Sequence, residues 1–247
     1  DLKYVRATDA NGTAWSAPVA VDTVGNVGRT CSLTVVNGQP AISYEDFSAG
    51  TLKYIRATDA NGAAWGTPVV VDATQGWQTS LAVVNGRPAI GYARPSGGIW
   101  FVRANDANGT AWGTPVMAGD YGSDISLQIV NDTPAMTFIA NARLQYARAA
   151  DANGAAWNSP ALLDAEAGGG GTSLIVLPTG EAKVTDFGIA ERPLSRCQRS
   201  TTWAVVLPWR SAIPAMTESV NAASNSEVTE SHTGQSRSDS SCRSSVR

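Results

Sequence analysis

The sequence has little of what most enzymes use for proton transfer or for binding metals. Its 247 residues contain one histidine, His232, and three cysteines, Cys31, Cys197 and Cys242. A single histidine argues against a His-based catalytic triad and against a multi-histidine metal site. An odd number of widely spaced cysteines does not predict a disulfide framework. We therefore expect free thiols, no bound metal and no cofactor.

Charge and long apolar runs are scarce as well. Charged residues make up 16% of the chain and the formal net charge is −3, so the basic stripe of a nucleic-acid-binding protein is missing. No apolar run is long enough to cross a bilayer, so we expect no membrane partner. The chain starts with Asp1 in the middle of a repeated pattern. This start suggests a fragment of a longer protein, which we expect to be extracellular or at the cell surface.

What the sequence does contain is a repeat that occurs four times. Each copy runs from a strand-like segment through an Asn-Gly turn to a Trp, and we place the copies at residues 2–51, 52–98, 99–143 and 144–192. The recurring structural positions are Asp9, Gly12, Trp15, Asp59, Gly62, Trp65, Asp106, Gly109, Trp112, Asp151, Gly154 and Trp157. A repeat of this length predicts one supersecondary unit that stacks on its neighbours.

Each repeat contains four short runs with strand character, bounded by turn residues. In the second copy they are Leu52 to Ala57, Pro68 to Asp72, Ser80 to Val84 and Pro88 to Tyr92. Asn-Gly turns between such runs favour tight antiparallel hairpins. The pattern predicts an all-β fold: a β-propeller of about four blades, or part of a larger ring, in which each blade is a four-stranded antiparallel sheet. The Ser-Leu pair of each repeat is expected on the innermost strand.

The two ends of the repeat region have complementary phases. Leu2 to Asp22 correspond to the last two strands of a blade, and Thr172 to Phe187 correspond to the first two. If these segments pair, they close a ring of four blades, and a fragment of a larger ring fits the sequence equally well. Residues 193–247 are rich in Ser and are expected to be a largely disordered tail, because they offer too little apolar surface to offset the chain entropy.

The segment from Thr8 to Trp15 and its three counterparts resemble the Asp-box of sialidase-like propellers. The spacing differs, since Asp9 lies three residues before Gly12 and the family pattern places the Asp two residues before the Gly. In that family the motif is structural and remote from the catalytic centre. The resemblance therefore implies a fold and not an activity.

A second segment, from Lys183 to Ala190, resembles the magnesium-binding segment of Ser/Thr protein kinases. The same residues also align with the propeller repeat, and no phosphate-covering glycine loop or catalytic loop precedes them. We interpret the segment as a coincidence or as the inactive remnant of a kinase, which leaves a kinase origin as a remote alternative.

Loops that vary between repeats are the best candidates for a binding site, because recognition usually lies in variable loops on a constant scaffold. The candidate ligand-binding residues are Arg29, Asp46, Phe47, Trp77, Arg94, Tyr121 and Asp124. Their aromatic faces and directed polar groups suit a glycan or an extended peptide. The recurring arginines Arg6, Arg56, Arg103 and Arg148 are expected to pair with a carboxylate in their own blade.

We assign no catalytic residue from the sequence. Glycoside hydrolysis needs two carboxylates on either side of one bond, and no motif in this chain supplies such a pair. The sequence therefore favours a non-catalytic binding or scaffold module that recognises carbohydrate or protein. The alternative is a sialidase-like glycoside hydrolase. The oligomeric state stays open.

Overall fold

The computed structural model of the chain describes residues 1–74, 76–165 and 171–186. The predicted Ser-rich tail, with Cys197, His232 and Cys242, lies outside the described residues, so the predicted domain limit at residue 192 stays a prediction. The described part of the chain is all β-structure. It includes no helix that is long and apolar enough to cross a membrane.

The strands are short and follow one another at regular intervals. In chain order they are β1 (Leu2–Tyr4), β2 (Val19–Asp22), β3 (Val27–Val36), β4 (Gln39–Asp46), β5 (Thr51–Arg56), β6 (Val69–Asp72), β7 (Trp77–Val84), β8 (Arg87–Ala93), β9 (Ile99–Arg103), β10 (Val116–Gly119), β11 (Ser123–Val130), β12 (Thr133–Ala140), β13 (Arg143–Arg148), β14 (Ala161–Asp164), β15 (Thr172–Val176) and β16 (Ala182–Asp186).

These strands form five antiparallel sheets. Strands β3–β6, β7–β10 and β11–β14 make three four-stranded sheets in sequence order, and β1–β2 and β15–β16 make two-stranded sheets. We call the three complete sheets blades 1, 2 and 3. Strands β5, β6, β7 and β8 cover the four runs predicted in the second repeat, the first two in blade 1 and the last two in blade 2. The predicted four-stranded antiparallel blade is confirmed.

The Ser-Leu pairs lie on the strands that contact one another from sheet to sheet. Strand β7 contacts both β3 and β11, and β11 contacts β15. The backbone N–H of Leu81 donates to the Ser32 hydroxyl at 3.0 Å, and the N–H of Leu174 donates to the Ser126 hydroxyl at 3.0 Å. Strands β3, β7, β11 and β15 are therefore the innermost strands, as predicted.

The core lies between neighbouring sheets. One buried cluster joins Leu52 and Tyr54 of blade 1 to Ile90 and Tyr92 of blade 2. The next joins Phe101 of blade 2 to residues of blade 3. Because each sheet buries a face against its neighbour, the apolar side chains of one repeat are removed from water only when the repeats stack.

The recurring Trp of a blade packs against an aromatic ring of the preceding sheet. The ring of Trp112 lies 5.2 Å from the ring of Tyr54 in the preceding blade, in an edge-to-face arrangement. Trp65 makes the same contact with Tyr4 at 5.3 Å, and Trp157 meets Phe101 at 5.2 Å. Such pairs stabilise a fold by about 0.5–1.5 kcal/mol beyond the area they bury.

Closure into a four-bladed ring, one of the two arrangements that fit the sequence, is not seen in the described residues. Strands β1–β2 and β15–β16 stay separate two-stranded sheets, with no ladder between β16 and β1. In the register of β15 with β16, Asp186 stands where the complete blades have the buried aromatics Tyr44, Tyr92 and Phe138. The second strand of this sheet therefore lacks the residue type that anchors the others.

The recurring arginines also differ from expectation. Arg103 donates from Nε to the carbonyl of Val84 and from an η-nitrogen to the carbonyl of Asn85, both at 2.9 Å. Arg56 makes the equivalent bonds to Val36 and Asn37. These side chains satisfy the carbonyls of the neighbouring Asn-Gly hairpin instead of pairing with a carboxylate.

Candidate functional site

The two ends of the sheets differ in chemistry. At one end, which we call the turn end, the Asn-Gly hairpins recur in nearly the same form in every blade. At the other end, which we call the mouth, the loops vary from blade to blade. The innermost strands start at the mouth, since Val27 at the start of β3 pairs with Asp46 at the end of β4.

The hairpins of the turn end are closed by their aspartates. The carboxylate of Asp106 accepts hydrogen bonds from the backbone N–H groups of Asn108, Thr110 and Ala111. Burial raises the pKa of Asp106, but these bonds outweigh it and lower the pKa to about 2. The Trp112 indole N–H donates to the Gly109 carbonyl at 3.0 Å. The carboxylate oxygens are occupied by the hairpin itself, which is a structural role.

The mouth contains a cavity where the innermost strands meet, which we call the axial cavity. Its volume is about 240 Å³. Each innermost strand contributes two lining residues, except that one of the pair at β15, Gly171, lies just before the strand. The lining residues are Thr30, Cys31, Gln78, Thr79, Asp124, Ile125, Gly171 and Thr172. Most of them carry hydroxyl, amide or carboxylate groups, so the cavity offers polar contacts on several sides.

One residue from each innermost strand has a left-handed backbone at this cavity. Thr30, Gln78 and Asp124 have φ angles of 45°, 52° and 56°, and Gly171 has 119°. Each lies two residues before the Ser of its Ser-Leu pair, and in the three complete blades the strand register shifts there. A left-handed backbone is unfavourable for a β-branched residue such as Thr30. The same strained geometry therefore recurs around one cavity.

Side chains connect these residues from blade to blade. The Gln78 N–H donates to the Thr30 hydroxyl at 3.0 Å, and the Asp124 N–H donates to Oε1 of Gln78 at 2.8 Å. The Asp124 carboxylate accepts from the Ser123 hydroxyl at 2.7 Å. The first two bonds hold the start of an innermost strand against the preceding blade, which fixes the shape of the cavity.

Among the predicted site residues, Asp124 lines the axial cavity and the other six do not. Trp77 precedes Gln78 on β7, but its side chain packs against the core between blades 2 and 3. Its indole nitrogen is buried without a hydrogen-bond partner in the described residues. Trp77 therefore supports the blade more than it offers a face to a ligand.

Arg29, Phe47 and Asp46 gather at the mouth of blade 1. The Arg29 guanidinium lies 4.4 Å from the centre of the Phe47 ring, a cation–π contact on exposed side chains. Asp46 is buried and accepts from the Lys53 ammonium at 2.7 Å. Burial raises the pKa of Asp46, but the Lys53 and backbone hydrogen bonds outweigh it, so the net shift is downward. Asp46 is an ionised structural partner of Lys53.

Arg94 is held rigidly at the mouth of blade 2. It bonds to the buried carboxylate of Asp72, which also accepts from the Tyr92 hydroxyl. The Arg94 guanidinium lies 3.9 Å from the centre of the Trp100 ring. Burial raises the pKa of Asp72, but the bonds from Tyr92, Thr74 and Arg94 lower it overall. Burial and the bond to Asp72 raise the pKa of Tyr92.

The pKa shifts of these groups give little support to acid–base catalysis. Every carboxyl group of the described residues that has a shifted pKa is shifted downward, whereas the general acid of a glycosidase needs a raised one. No group of three or more His, Cys, Asp or Glu in the described part of the chain is placed to hold a metal ion. The arrangement is suited to hydrogen bonding and stacking.

Sequence reasoning missed Thr30 and Gln78. Neither residue type is typical of a left-handed backbone, so the variable loops gave no reason to select them. The signal that finds them is positional. Counting back two residues from each Ser-Leu pair gives Thr30, Gln78, Asp124 and Gly171.

Comparisons with known proteins concern the fold. The intramolecular trans-sialidase of Ruminococcus gnavus, solved with oseltamivir carboxylate, matches with a TM-score of 0.53 and 20% identity, over 72% of this chain and 44% of that chain. The α-L-arabinofuranosidase CtGH43 of Clostridium thermocellum matches with a TM-score of 0.48 and 12% identity, over 60% of each chain. PaAbf62A of Podospora anserina, an α-L-arabinofuranosidase solved with cellotriose, matches with a TM-score of 0.47 and 12% identity, over 66% of this chain and 60% of that chain.

The trans-sialidase match and the repeated four-stranded sheets show that the chain has an all-β, β-propeller-like fold. It spans 44% to 60% of the length of these three structures. No family model matches the sequence, and no curated protein does. The segment that resembles a kinase contributes residues 183–186 to β16, which pairs with β15 as in the other inner hairpins. The rest of that segment lies outside the described residues.

Proposed function

We propose that this chain recognises carbohydrate and holds one sugar residue in the axial cavity. The observation that carries the proposal is the recurrence of Thr30, Gln78 and Asp124, all left-handed, around one open cavity. Strained backbones of this kind cost about 1 kcal/mol or more each, and they cluster where a protein binds or switches.

The chemistry of the cavity fits a sugar. The amide of Gln78, the carboxylate of Asp124 and the hydroxyl of Thr172 offer donors and acceptors that match sugar hydroxyls. Part of this capacity is used internally, since Oε1 of Gln78 accepts from Asp124 and the Thr172 hydroxyl bonds to Thr137. The Gln78 amino group and the second oxygen of Asp124 supply the remaining contacts. An extracellular or cell-surface location, which we also propose, would suit a glycan ligand.

A second candidate function is glycoside hydrolysis by a sialidase-like enzyme. The kinds of protein matched favour it over a purely non-catalytic role, because a trans-sialidase and two arabinofuranosidases are among them. The downward pKa shifts of the described carboxyl groups favour binding alone. Both candidates place carbohydrate at the mouth, and they differ only in whether a bond is broken.

Calorimetric titration tests the proposal. Cellotriose, xylotriose and 3′-sialyllactose are titrated into the wild type, into Asp124→Asn and into Gln78→Gly. Asn tolerates the left-handed backbone and keeps the shape of Asp124, and Gly relieves the strain at residue 78, so both variants are expected to fold. Leu162→Ala is the control, since Leu162 is an exposed side chain on β14.

We expect at least one of the three glycans to bind the wild type and the control equally, and both cavity variants to bind it at least tenfold more weakly. No binding of any glycan, or equal binding by all four proteins, would refute the proposal. Chromatography of each glycan after incubation with the wild type decides the second candidate. Shorter products that appear only with active protein would establish hydrolysis.

A further inference from the structure

An exposed aromatic ring lies beside the axial cavity on the segment that enters β11. Tyr121 is 58% exposed. It follows β10, and it lies two residues before the start of β11 and three before Asp124, which lines the cavity. A side chain at Gly97 would come within 3.9 Å of the Tyr121 ring, so the ring lies next to the hairpin of blade 2.

That hairpin is rigid. The Gly97 N–H donates to the Arg94 carbonyl at 2.9 Å, and the Arg94 N–H donates to the Gly98 carbonyl at 3.3 Å. The Trp100 indole N–H donates to the Gly97 carbonyl at 3.2 Å. Arg94 is stacked on Trp100 and fixed by Asp72. We call Tyr121 with the stacked pair Arg94 and Trp100 the rim platform.

The rim platform and the axial cavity are close but separate. Three residue steps join Tyr121 to Asp124, which span at most about 10 Å between Cα atoms. Tyr121 lies next to the blade 2 hairpin and Asp124 lines the cavity. A short chain of sugars can therefore reach both, with one ring in the cavity and the next on the tyrosine.

We propose that the rim platform is a second subsite, which stacks the sugar that follows the one in the axial cavity. The ligand class is therefore an oligosaccharide of two or more neutral sugars, not a monosaccharide. An aromatic face suits the apolar face of a sugar ring, and a tyrosine loses little conformational entropy on binding because it has few rotatable bonds. This inference rests on the proposed function.

Chain-length dependence tests it. Xylose, xylobiose and xylotriose, and separately glucose, cellobiose and cellotriose, are titrated into the wild type, Tyr121→Phe and Tyr121→Ala. Met117→Ala is the matched control, because Met117 is an exposed side chain on β10 of the same sheet edge. Thermal unfolding of each variant shows that the fold is kept.

In the wild type, affinity is expected to rise about tenfold from the monosaccharide to the disaccharide of the series that binds. Tyr121→Phe and Met117→Ala keep this gain, and Tyr121→Ala loses it while its affinity for the monosaccharide is unchanged. A monosaccharide that binds as tightly as its trisaccharide, or a chain-length gain that survives in Tyr121→Ala, overturns this inference and leaves the proposed function standing. If no sugar of either series binds the wild type but 3′-sialyllactose does, the inference falls and the proposed function survives. If none of these glycans binds, both fall.

Discussion

The hydroxyl of Ser80 on β7 accepts a hydrogen bond from the backbone N–H of Leu127 on β11, at 2.9 Å. The same bond joins Ser32 to Leu81 and Ser126 to Leu174. One side chain per repeat therefore attaches each innermost strand to the next, at the level just below the axial cavity. These hydrogen bonds lie two residues after Thr30, Gln78 and Asp124 and hold the left-handed backbones of these residues in place.

Removing this bond is expected to weaken the packing of the blades. Ser80→Ala leaves the Leu127 N–H without its partner, and an unsatisfied buried donor costs about 1–3 kcal/mol. Urea unfolding measures the loss. Ser173→Ala is the control, because Ser173 has the same place in β15 but is exposed, and a change within about 0.5 kcal/mol is expected there. Equal losses in the two variants would contradict the interpretation.

The Trp of the repeat is expected to matter only where it meets an aromatic ring. Trp112 and Trp15 make the same hairpin bond from their indole N–H, at 3.0 Å in both. Trp112 also packs on Tyr54, whereas Trp15 is 62% exposed. We expect Trp112→Ala to lower the free energy of unfolding by about 3 kcal/mol and Trp15→Ala by under about 1 kcal/mol. Similar losses in a denaturant titration would show that the hairpin bond dominates.

Lys53 is expected to be essential to the stability of blade 1. Its ammonium lies 2.7 Å from Asp46 and 3.7 Å from Asp22, and both carboxylates are buried. Lys53→Met leaves them without their cation, at a cost of about 3 kcal/mol. Adding Asp46→Asn to this variant should recover part of the loss. Lys183→Met, which removes the exposed pair with Glu181, should change stability by less than about 1 kcal/mol. A small effect of Lys53→Met in chemical denaturation would contradict this account.

The hairpin aspartates are expected to make the fold sensitive to acid. The pKa of Asp106 is lowered from its ordinary value of 3.8 to about 2 in the folded chain. A group with a lowered folded pKa stabilises the protein above its unfolded pKa, and this stability is lost as the pH falls from about 3.8 to about 2. The urea midpoint should therefore drop across this window in the wild type.

In Asp106→Asn the drop should be smaller, because one titrating group has been removed, and the midpoint above the window should be lower. Asp120→Asn removes an exposed loop charge and serves as the control. If wild type, variant and control give parallel curves, the hairpin bonds to Asp106 contribute nothing to acid stability.

Much of the fold was predictable because its determinants are local. Asn-Gly turns predict hairpins, and short strand-like runs between turn residues predict strands, so β5 to β8 appear where the second repeat predicts them. The site was harder to predict from the sequence. Trp77 stands next to a loop, as a ligand platform would, but the shift of register between Trp77 and Ser80 directs it into the core.

The partners of the arginines were also beyond sequence reasoning. Arg56 and Arg103 bind the carbonyls at the end of a neighbouring hairpin, and no sequence pattern marks a backbone acceptor. Thr30 and Gln78 were missed for a related reason, since their left-handed backbones arise from a register shift between strands. Such features depend on how two strands pair, and neither strand alone reveals them.

The most direct test of a carbohydrate site in the axial cavity is a backbone amide NMR titration with cellotriose, xylotriose and 3′-sialyllactose. The account predicts that the amide signals of Thr30, Gln78, Asp124 and Thr172 shift together as one of these glycans saturates, while those of the hairpins at Gly62 and Gly109 stay in place. Shifts confined to the turn end, or no shift of the cavity amides with any of the three glycans, would contradict it.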